Sequence, residues 1–583
     1  MKKLFFSVML VAAALVGCTS DNEVKPNAGE VGAGEKGFVG FSIQLPTTSG
    51  TRANDDFNDG KPVPAEYKVN NATLFLFAGD TEAEAKFVAA YPMNITSFDK
   101  VGTNTDQCTT EGIITSEISK PAETNLYAFV MLNHNELYSA NSLNGTALTA
   151  GTTTFADFSK IELTALGTED NLLMTNAPVS DKTAGASAPA DDAKISVLAK
   201  LDANKIYATQ AKAQANPAGE VYVERAAAKI TVSTSVNGNA DSDEAAIEAD
   251  ANVKYSKASI KWAVNNVNEK YYNARQMKKE WLPLVADGSE GTVNESTKYR
   301  FASGAAIHEG VVRTYWAEDM NYSNDVQTFT ANPTKDQIIN EASAGTSVYV
   351  TENTFDVAHQ KDMYTTGLSV SATFNGGKDF YIASTYGDNN ILQATGAEGA
   401  GEKVQAYILK YLYNNNNNFK AWIDKVGSEQ SGFTVTMNNK DNGTAEVATV
   451  SAAEGLSQSL PSSIDAAYIN SQIKFKYYAG GVAYYNVLIK HFGDSETPWN
   501  SELHKVNNIE GVYGTDPTAT ANFLGRYGIV RNNWYKIDIK GISQIGDPIV
   551  VTPGDTPDDK VKNYISVKIH ILPWAVRKQS VIL

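Results

Sequence analysis

The chain has 583 residues, too many for one ordinary domain and enough for two to four. A hydrophobic share of 42% and a charged share of 20% allow a packed core and argue against wholesale disorder. The net charge of -17 argues against nucleic acid as a partner and against docking on an anionic membrane through basic patches.

Lys2 and Lys3 precede the apolar run LFFSVMLVAAALVG, which is short for a transmembrane span and reads as a signal peptide. It ends in Leu15-Val16-Gly17-Cys18, which resembles a bacterial lipobox. On that resemblance residues 1–18 are a leader, and Cys18 becomes the lipidated first residue of the mature chain. Acyl chains anchor at about 0.8 kcal/mol per buried methylene. The following TSDNE resembles the acidic export signal of Bacteroidota surface lipoproteins. The only other cysteine is Cys108, so with Cys18 lipidated no intramolecular disulfide can form.

A polar, Gly-rich spacer (21–36) leads into GFVGFSIQLP, where Val39, Phe41, Ile43 and Leu45 alternate with small and polar residues as in a half-buried strand. Arg52 follows in TTSGTRANDDFNDGK, a setting open to a protease, although it also suits an ordinary loop arginine. NNATLFLFAG and TNLYAFVMLNHN read as buried strands between turns. VYVERAAAKITVST (221–234) alternates again after the loose ANPAGE, which places a boundary between a first unit, 53–222, and a second, 223–546. In the second, ASIKWAVNNVNEKYY, TSVYVTENT, QIKFKYYAGGVAYYNVLIKHF and GIVRNNWYKIDIKGISQIG read mostly as strands separated by Asn, Gly and Asp turns. The five asparagines 414–418 read as a polar loop and not a helix, and DSDEAAIEAD as a solvated acidic face. The pattern predicts an all-β chain with minor helical insertions, built as two β-sandwich domains with the second larger.

DPIVVTPGDTPDDK (547–560) reads as a linker; about 14 extended residues span up to about 45 Å. In the last segment, 561–583, Ile565, Val567, Ile569 and Ile571 alternate with Ser566, Lys568 and His570 before Pro573-Trp574 breaks the run. Such an apolar terminus suits a strand delivered to another molecule, or the last strand of its own domain. The stretch Trp574–Leu583 suits either a groove filler or a clamp on the joint.

No catalytic constellation is present: there is no G-x-S-x-G, H-E-x-x-H or C-x-x-C, and the six histidines lack ligand spacing. A G-x-G-x-x-G match at Gly32, Gly34 and Gly37 precedes a strand instead of opening a helix, so it is not a dinucleotide fingerprint. The reading is a non-enzyme without metal or cofactor. Trp422 and Trp499 suit sugar stacking or, more commonly, a core.

Val530 to Tyr535 (V-R-N-N-W-Y) and Leu572-Pro573-Trp574, with VERAAAKI, IKWAVNNVNEKYY, AYYNVLIKHF and the lipobox, resemble the Mfa1-like major fimbrilins of Bacteroidota, shaft subunits of type V fimbriae. The resemblance implies two transthyretin-like β-sandwich domains of Greek-key type, completed by donor-strand exchange. It implies that an extracellular arginine-specific protease cuts between Arg52 and Ala53 and removes residues 19–52 with the strand Val39, Phe41, Ile43 and Leu45. The groove so opened would accept the donor strand Ile565, Val567, Ile569 and Ile571, with Trp574, of the next identical subunit, head to tail. It further implies anchor and tip subunits as partners, surface ligands on host or bacteria, and a location on the cell-surface fimbrium after an outer-membrane lipoprotein precursor. Two alternatives stay open: a monomeric surface lipoprotein binding glycans or host proteins, and a tip or anchor component.

Overall fold

The computed structural model describes residues 29–44, 64–96, 111–180, 194–236, 243–277, 312–313, 316–323, 328–342, 345–394, 402–426, 432–491, 525, 527–558, 565–573 and 577–578. The described residues fold mainly as β-sheet.

Five strands frame the N-terminal unit: β1 (Lys36–Gln44), β2 (Ala72–Ala78), β3 (Lys86–Pro92), β4 (Glu111–Ser119) and β5 (Asn125–Leu132). β4 runs antiparallel along the whole of one edge of β1. The other edge is shared by Ile206–Tyr207 and by Gly219–Arg225, which pairs in parallel. From Gly219–Arg225 the sheet continues through Met174–Asn176, β5 and β2 to β3. Its ends then meet, because Asn94 N–H donates to Thr115 O at 2.8 Å and Ser116 Oγ to Pro92 O at 2.9 Å.

Period-two side-chain placement explains why β2 reads as an unbroken apolar run. Leu74 and Leu76 face a core shared with Val39, Phe41, Ile43, Ile114 and Val130. Phe75 and Phe77 face the opposite way into a second core, with Phe129, Phe155 and Phe158. There the rings meet edge-on, as in Phe77–Phe158 at 5.1 Å.

The chain crosses between units at Ala226 and Ala227, both fully buried. Gly219–Arg225 is the last strand of the first unit and Ala228–Thr234 the first of the second. The crossing therefore lies a few residues beyond the boundary expected at 222/223.

In the C-terminal unit one sheet runs Ser347–Val350, Ala228–Thr234, Asn533–Ile542, Ile565–Pro573, Arg577–Lys578. A second contains Lys261–Asn265, Gly367–Thr373 and Val482–Leu488, and a core including Ile230, Trp262, Val370, Tyr485 and Ile537 joins them. Inserted between Gly367–Thr373 and Val482–Leu488 is a third body with its own sheet and core, in which Trp422 is 5% exposed. Trp422 is therefore a packing residue and not a sugar platform.

The asparagine run departs from expectation. Residues 404–415 and 417–426 are helices, so the run 414–418 lies across their adjoining ends, with Asn416 alone between them, and is not a loop. Asparagine suits this place by capping: Asn416 Oδ1 accepts from Phe419 N–H at 3.0 Å, while Asn416 N–H donates to Leu412 O at 2.8 Å.

The expected linker is also seated rather than loose over its described part. Asp547 exchanges backbone hydrogen bonds with Tyr484. Further on, Gly554 N–H donates to Asp362 Oδ2 at 3.0 Å, Asp362 N–H to Thr556 O at 2.8 Å, and Lys361 pairs with Asp555 at 2.6 Å. Its prolines and glycines shape a path along the body, where backbone groups find partners.

Candidate functional site

Three places bear on how this chain could join others: the groove holding β1, the seat of the tail strand, and the joint between the two units.

β1 occupies a continuous slot. Nine residue pairs join it to β4, four to Gly219–Tyr222 and two to Ile206–Tyr207. Val39, Phe41 and Ile43 point inward and have no exposed surface. Val31, just upstream, packs in the same core. At about 1.5–3 kcal/mol per buried side chain, these four give roughly 6–12 kcal/mol of gross burial. Gly37 is required by a close approach, since a Cβ there would lie 2.7 Å from Val31 Cγ2 and 3.0 Å from Ile206 Cγ2. The outer face is covered by the helix Gln210–Ala215, capped by Thr209 and held to β4 by Gln210 Nε2 donating to Thr115 Oγ1 at 3.0 Å. Ala218 N–H, just past this helix, donates to Gly40 O at 2.7 Å.

The tail strand Ile565–Pro573 lies antiparallel on Asn533–Ile542 of its own chain, with nine residue pairs and a bulge between Ile539 and Gly541. Arg577–Lys578 pairs on its other edge. In this arrangement Ile565, Val567, Ile569 and Ile571 belong to a strand of their own domain. Cys18, Leu45, Arg52, Ala53 and Trp574 lie outside the described residues.

The joint uses the V-R-N-N-W-Y run. Asn532, in the left-handed region at φ 62, donates its N–H to Ala227 O at 2.8 Å and accepts from Arg225 N–H and Nη1 at 3.3 Å. Arg531 pairs with Glu352 and donates to Tyr272 O at 3.0 Å. Asn533 Nδ2 donates to Val530 O and Arg531 O, and Tyr535 Oη accepts from Val530 N–H at 2.8 Å. From the first unit, Glu66 reaches Lys229 at 2.5 Å and accepts from Tyr349 Oη at 2.8 Å, and Glu224 accepts from Arg275 Nε at 2.7 Å. All these ions are nearly solvent-free. Burial pushes the Glu224 carboxyl up against the opposing pull of Arg275 and Arg531, and burial likewise drives Asp319 well above the usual carboxylate range. Buried pairs of this kind fix geometry more than they add stability, and losing one partner is costly.

Sequence reasoning placed β1 and the tail strand but missed β4, the helix over the groove and the joint. The joint leaves only a trace in the sequence: Glu224, Arg225 and Lys229 interrupt the otherwise apolar strands of VYVERAAAKI, and Arg531 sits in the turn just before Asn533–Ile542.

Residues 512–580 match the family described as major fimbrial subunit protein type IV, fimbrillin, C-terminal. The match takes in Asn533–Ile542, the seated segment and the tail strand. No curated protein sequence is similar to the chain. Among solved structures, a fimbrilin of Porphyromonas gingivalis is 16% identical, covering 93% of this chain and 98% of its own, at a TM-score of 0.32. The tip fimbrial protein Mfa3 of Porphyromonas gingivalis is 10% identical over 93% of this chain and 100% of its own, at 0.28. A fimbrial assembly protein of Parabacteroides distasonis is 12% identical over 59% of this chain and 84% of its own, at 0.25. These scores are too low to carry an argument, so the assignment rests on the C-terminal match. What the comparisons show is therefore a C-terminal segment, residues 512–580, similar to the C-terminal domain of fimbrillin-type major fimbrial subunits.

Proposed function

We propose that this protein is a shaft subunit that is exported as a lipoprotein on Cys18 and freed by cleavage after Arg52. It then polymerises by placing the tail strand of one copy in the β1 groove of the next, and the fibre serves adhesion and biofilm formation. One observation carries the reading: a strand inside the segment 19–52 is paired along both edges in the middle of the N-terminal unit. Removing it would leave unpaired backbone groups over an uncovered core, and an incoming strand satisfies both at once. Cleavage then acts as an irreversible switch, and the contact it permits is head to tail, so it extends as a filament. An extracellular arginine-specific protease, anchor and tip subunits, and ligands on host or bacterial surfaces are the partners this reading requires.

A second reading has its own support: the nine-pair ladder of the tail on Asn533–Ile542 suits a closing strand of a self-contained, lipid-anchored binding protein. The two separate on surface-exposed protein, compared with a chain truncated after Lys560. An N-terminus at Ala53 and a boiling-resistant oligomer ladder that vanishes with the tail support the shaft. A lipidated Cys18 with monomers in both samples refutes it.

A further inference from the structure

The groove has an inner wall that any apolar strand could satisfy and an outer wall that it could not. Among the outward residues of β1, Gly40 is buried beneath the helix Gln210–Ala215. A Cβ added at Gly40 would press into the Ala213 carbonyl oxygen and stand 3.0 Å from its carbon. These are backbone atoms, and they yield only if the helix itself moves. Ala213 is fully buried, so the contact is a seated one.

Resting on the strand-exchange reading, we infer that this helix reads the strand in the groove: it closes only over glycine at the place of Gly40, and a second copy's tail enters with the helix lifted. The tail strand, ISVKIHILP, contains no glycine. Its four inward candidates, Ile565, Val567, Ile569 and Ile571, match the four inward places Gly37, Val39, Phe41 and Ile43. Cleavage removes the Val31 methyl that crowds the place of Gly37 most closely, and the neighbours that stay, Ile206 Cγ2 and the Tyr207 carbonyl oxygen at 3.0 and 3.1 Å from a Cβ there, need give by only a few tenths of an ångström. Residue 568 is the midpoint of 565–571, and residue 40 is the midpoint of 37–43. Lys568 therefore falls opposite Ala213 whether the incoming strand runs with β1 or against it. A lysine there keeps the helix off the groove, so the precursor is closed by its own strand and the joined subunit is not closed in the same way.

The test uses the full chain lacking its leader, cut with an arginine-specific protease, in three forms: native, Lys568→Gly and Ser566→Gly. The two glycine variants weaken the tail strand alike, and only one removes the side chain facing Ala213. The expected result is a boiling-resistant ladder forming about tenfold faster with K568G than with S566G. In the polymer, amide exchange at 210–216 should be accelerated for the native chain and remain slow for K568G. Equal rates for the two variants, with 210–216 as protected in native polymer as in precursor, overturn the inference while leaving strand exchange intact. Absence of any polymer from all three chains overturns strand exchange itself, and the inference with it. Uncut Gly40→Ala protein supplies a check without polymer. Exchange at Ala213 and Asn216 should rise while β4 stays protected, and unchanged protection at 213 and 216 counts against the reading helix.

Discussion

Replacing Phe41 by alanine tests whether β1 is a structural element of the N-terminal unit or an attachment to it. Phe41 has no exposed surface and sits among Leu74, Ile114 and Val130. Phe→Ala in such a site removes the transfer energy of the ring and leaves a cavity, for a loss of about 3–5 kcal/mol. With a urea slope near ~2 kcal/mol/M, the midpoint of the N-terminal unit should fall by about 1.5–2.5 M. The control is Phe38→Ala, because Phe38 is half-buried on the opposite parity of the same strand. It should cost under about 1 kcal/mol.

The assay exploits an asymmetry in the sequence. All seven tryptophans, at 262, 281, 316, 422, 499, 534 and 574, lie beyond the crossing at 226–227. Tryptophan fluorescence therefore follows the C-terminal unit, while far-UV circular dichroism follows both. The F41A chain should show an early dichroism transition that fluorescence does not share. Equal losses for F41A and F38A, or a loss under about 1 kcal/mol for F41A, would refute the placement of β1 in the core. It would also remove the reason for expecting that its departure opens a groove.

Arg531→Ala should cost about 3–5 kcal/mol, since it strands the Glu352 carboxylate in the joint, whereas the double change R531M/E352L should cost far less; urea melts of the two singles and the double measure the coupling. Tyr535→Phe should cost about 1–3 kcal/mol by removing the acceptor of the buried Val530 N–H, read from the tryptophan-detected midpoint. Burial raises the Asp319 pKa, so the folded chain holds a proton that the unfolded chain has released. The stability from this group is complete below the ordinary Asp value of about 3.9 and is lost as pH rises from there to the raised value. Asp319→Asn should flatten that part of the stability–pH profile; a profile that keeps its slope would show that the dependence arises elsewhere.

Legibility in the sequence followed the amount of pattern each element carried. β1 and the tail strand were readable because one face is apolar at period two, and the paired apolar parities of β2 gave a continuous run. The joint was not, because charged residues in a strand or a turn normally mark its solvent side, and only tertiary packing turns Glu224, Arg225, Lys229 and Arg531 inward. The asparagine run was misread because composition outweighed spacing: Val404, Ile408 and Leu412 recur every four residues and line the core side of a helix. The Pro- and Gly-rich 547–558 was misread for the opposite reason, since composition reports chain stiffness and not whether backbone groups find partners nearby.

In the proposed head-to-tail fimbrium, tension entering at one groove would leave through that subunit's tail. The fold provides a short route. The groove strand lies parallel beside Gly219–Arg225. That strand passes through two buried alanines into Ala228–Thr234, which pairs in parallel with Asn533–Ile542. The chain then turns along the seated segment 547–558 into the tail. Between Gly219–Arg225 and Ala228–Thr234 the route leaves the ladders at Ala226–Ala227, and there the buried charges of Glu66, Glu224, Arg225, Lys229 and Arg531 gather. A flexible crossing would let each subunit bend at its middle. Cations and carboxylates removed from water, each needing its partner in one position, resist that bending because any opening leaves a charge unpaired. This cluster does at the middle of the subunit what strand exchange is proposed to do at its ends.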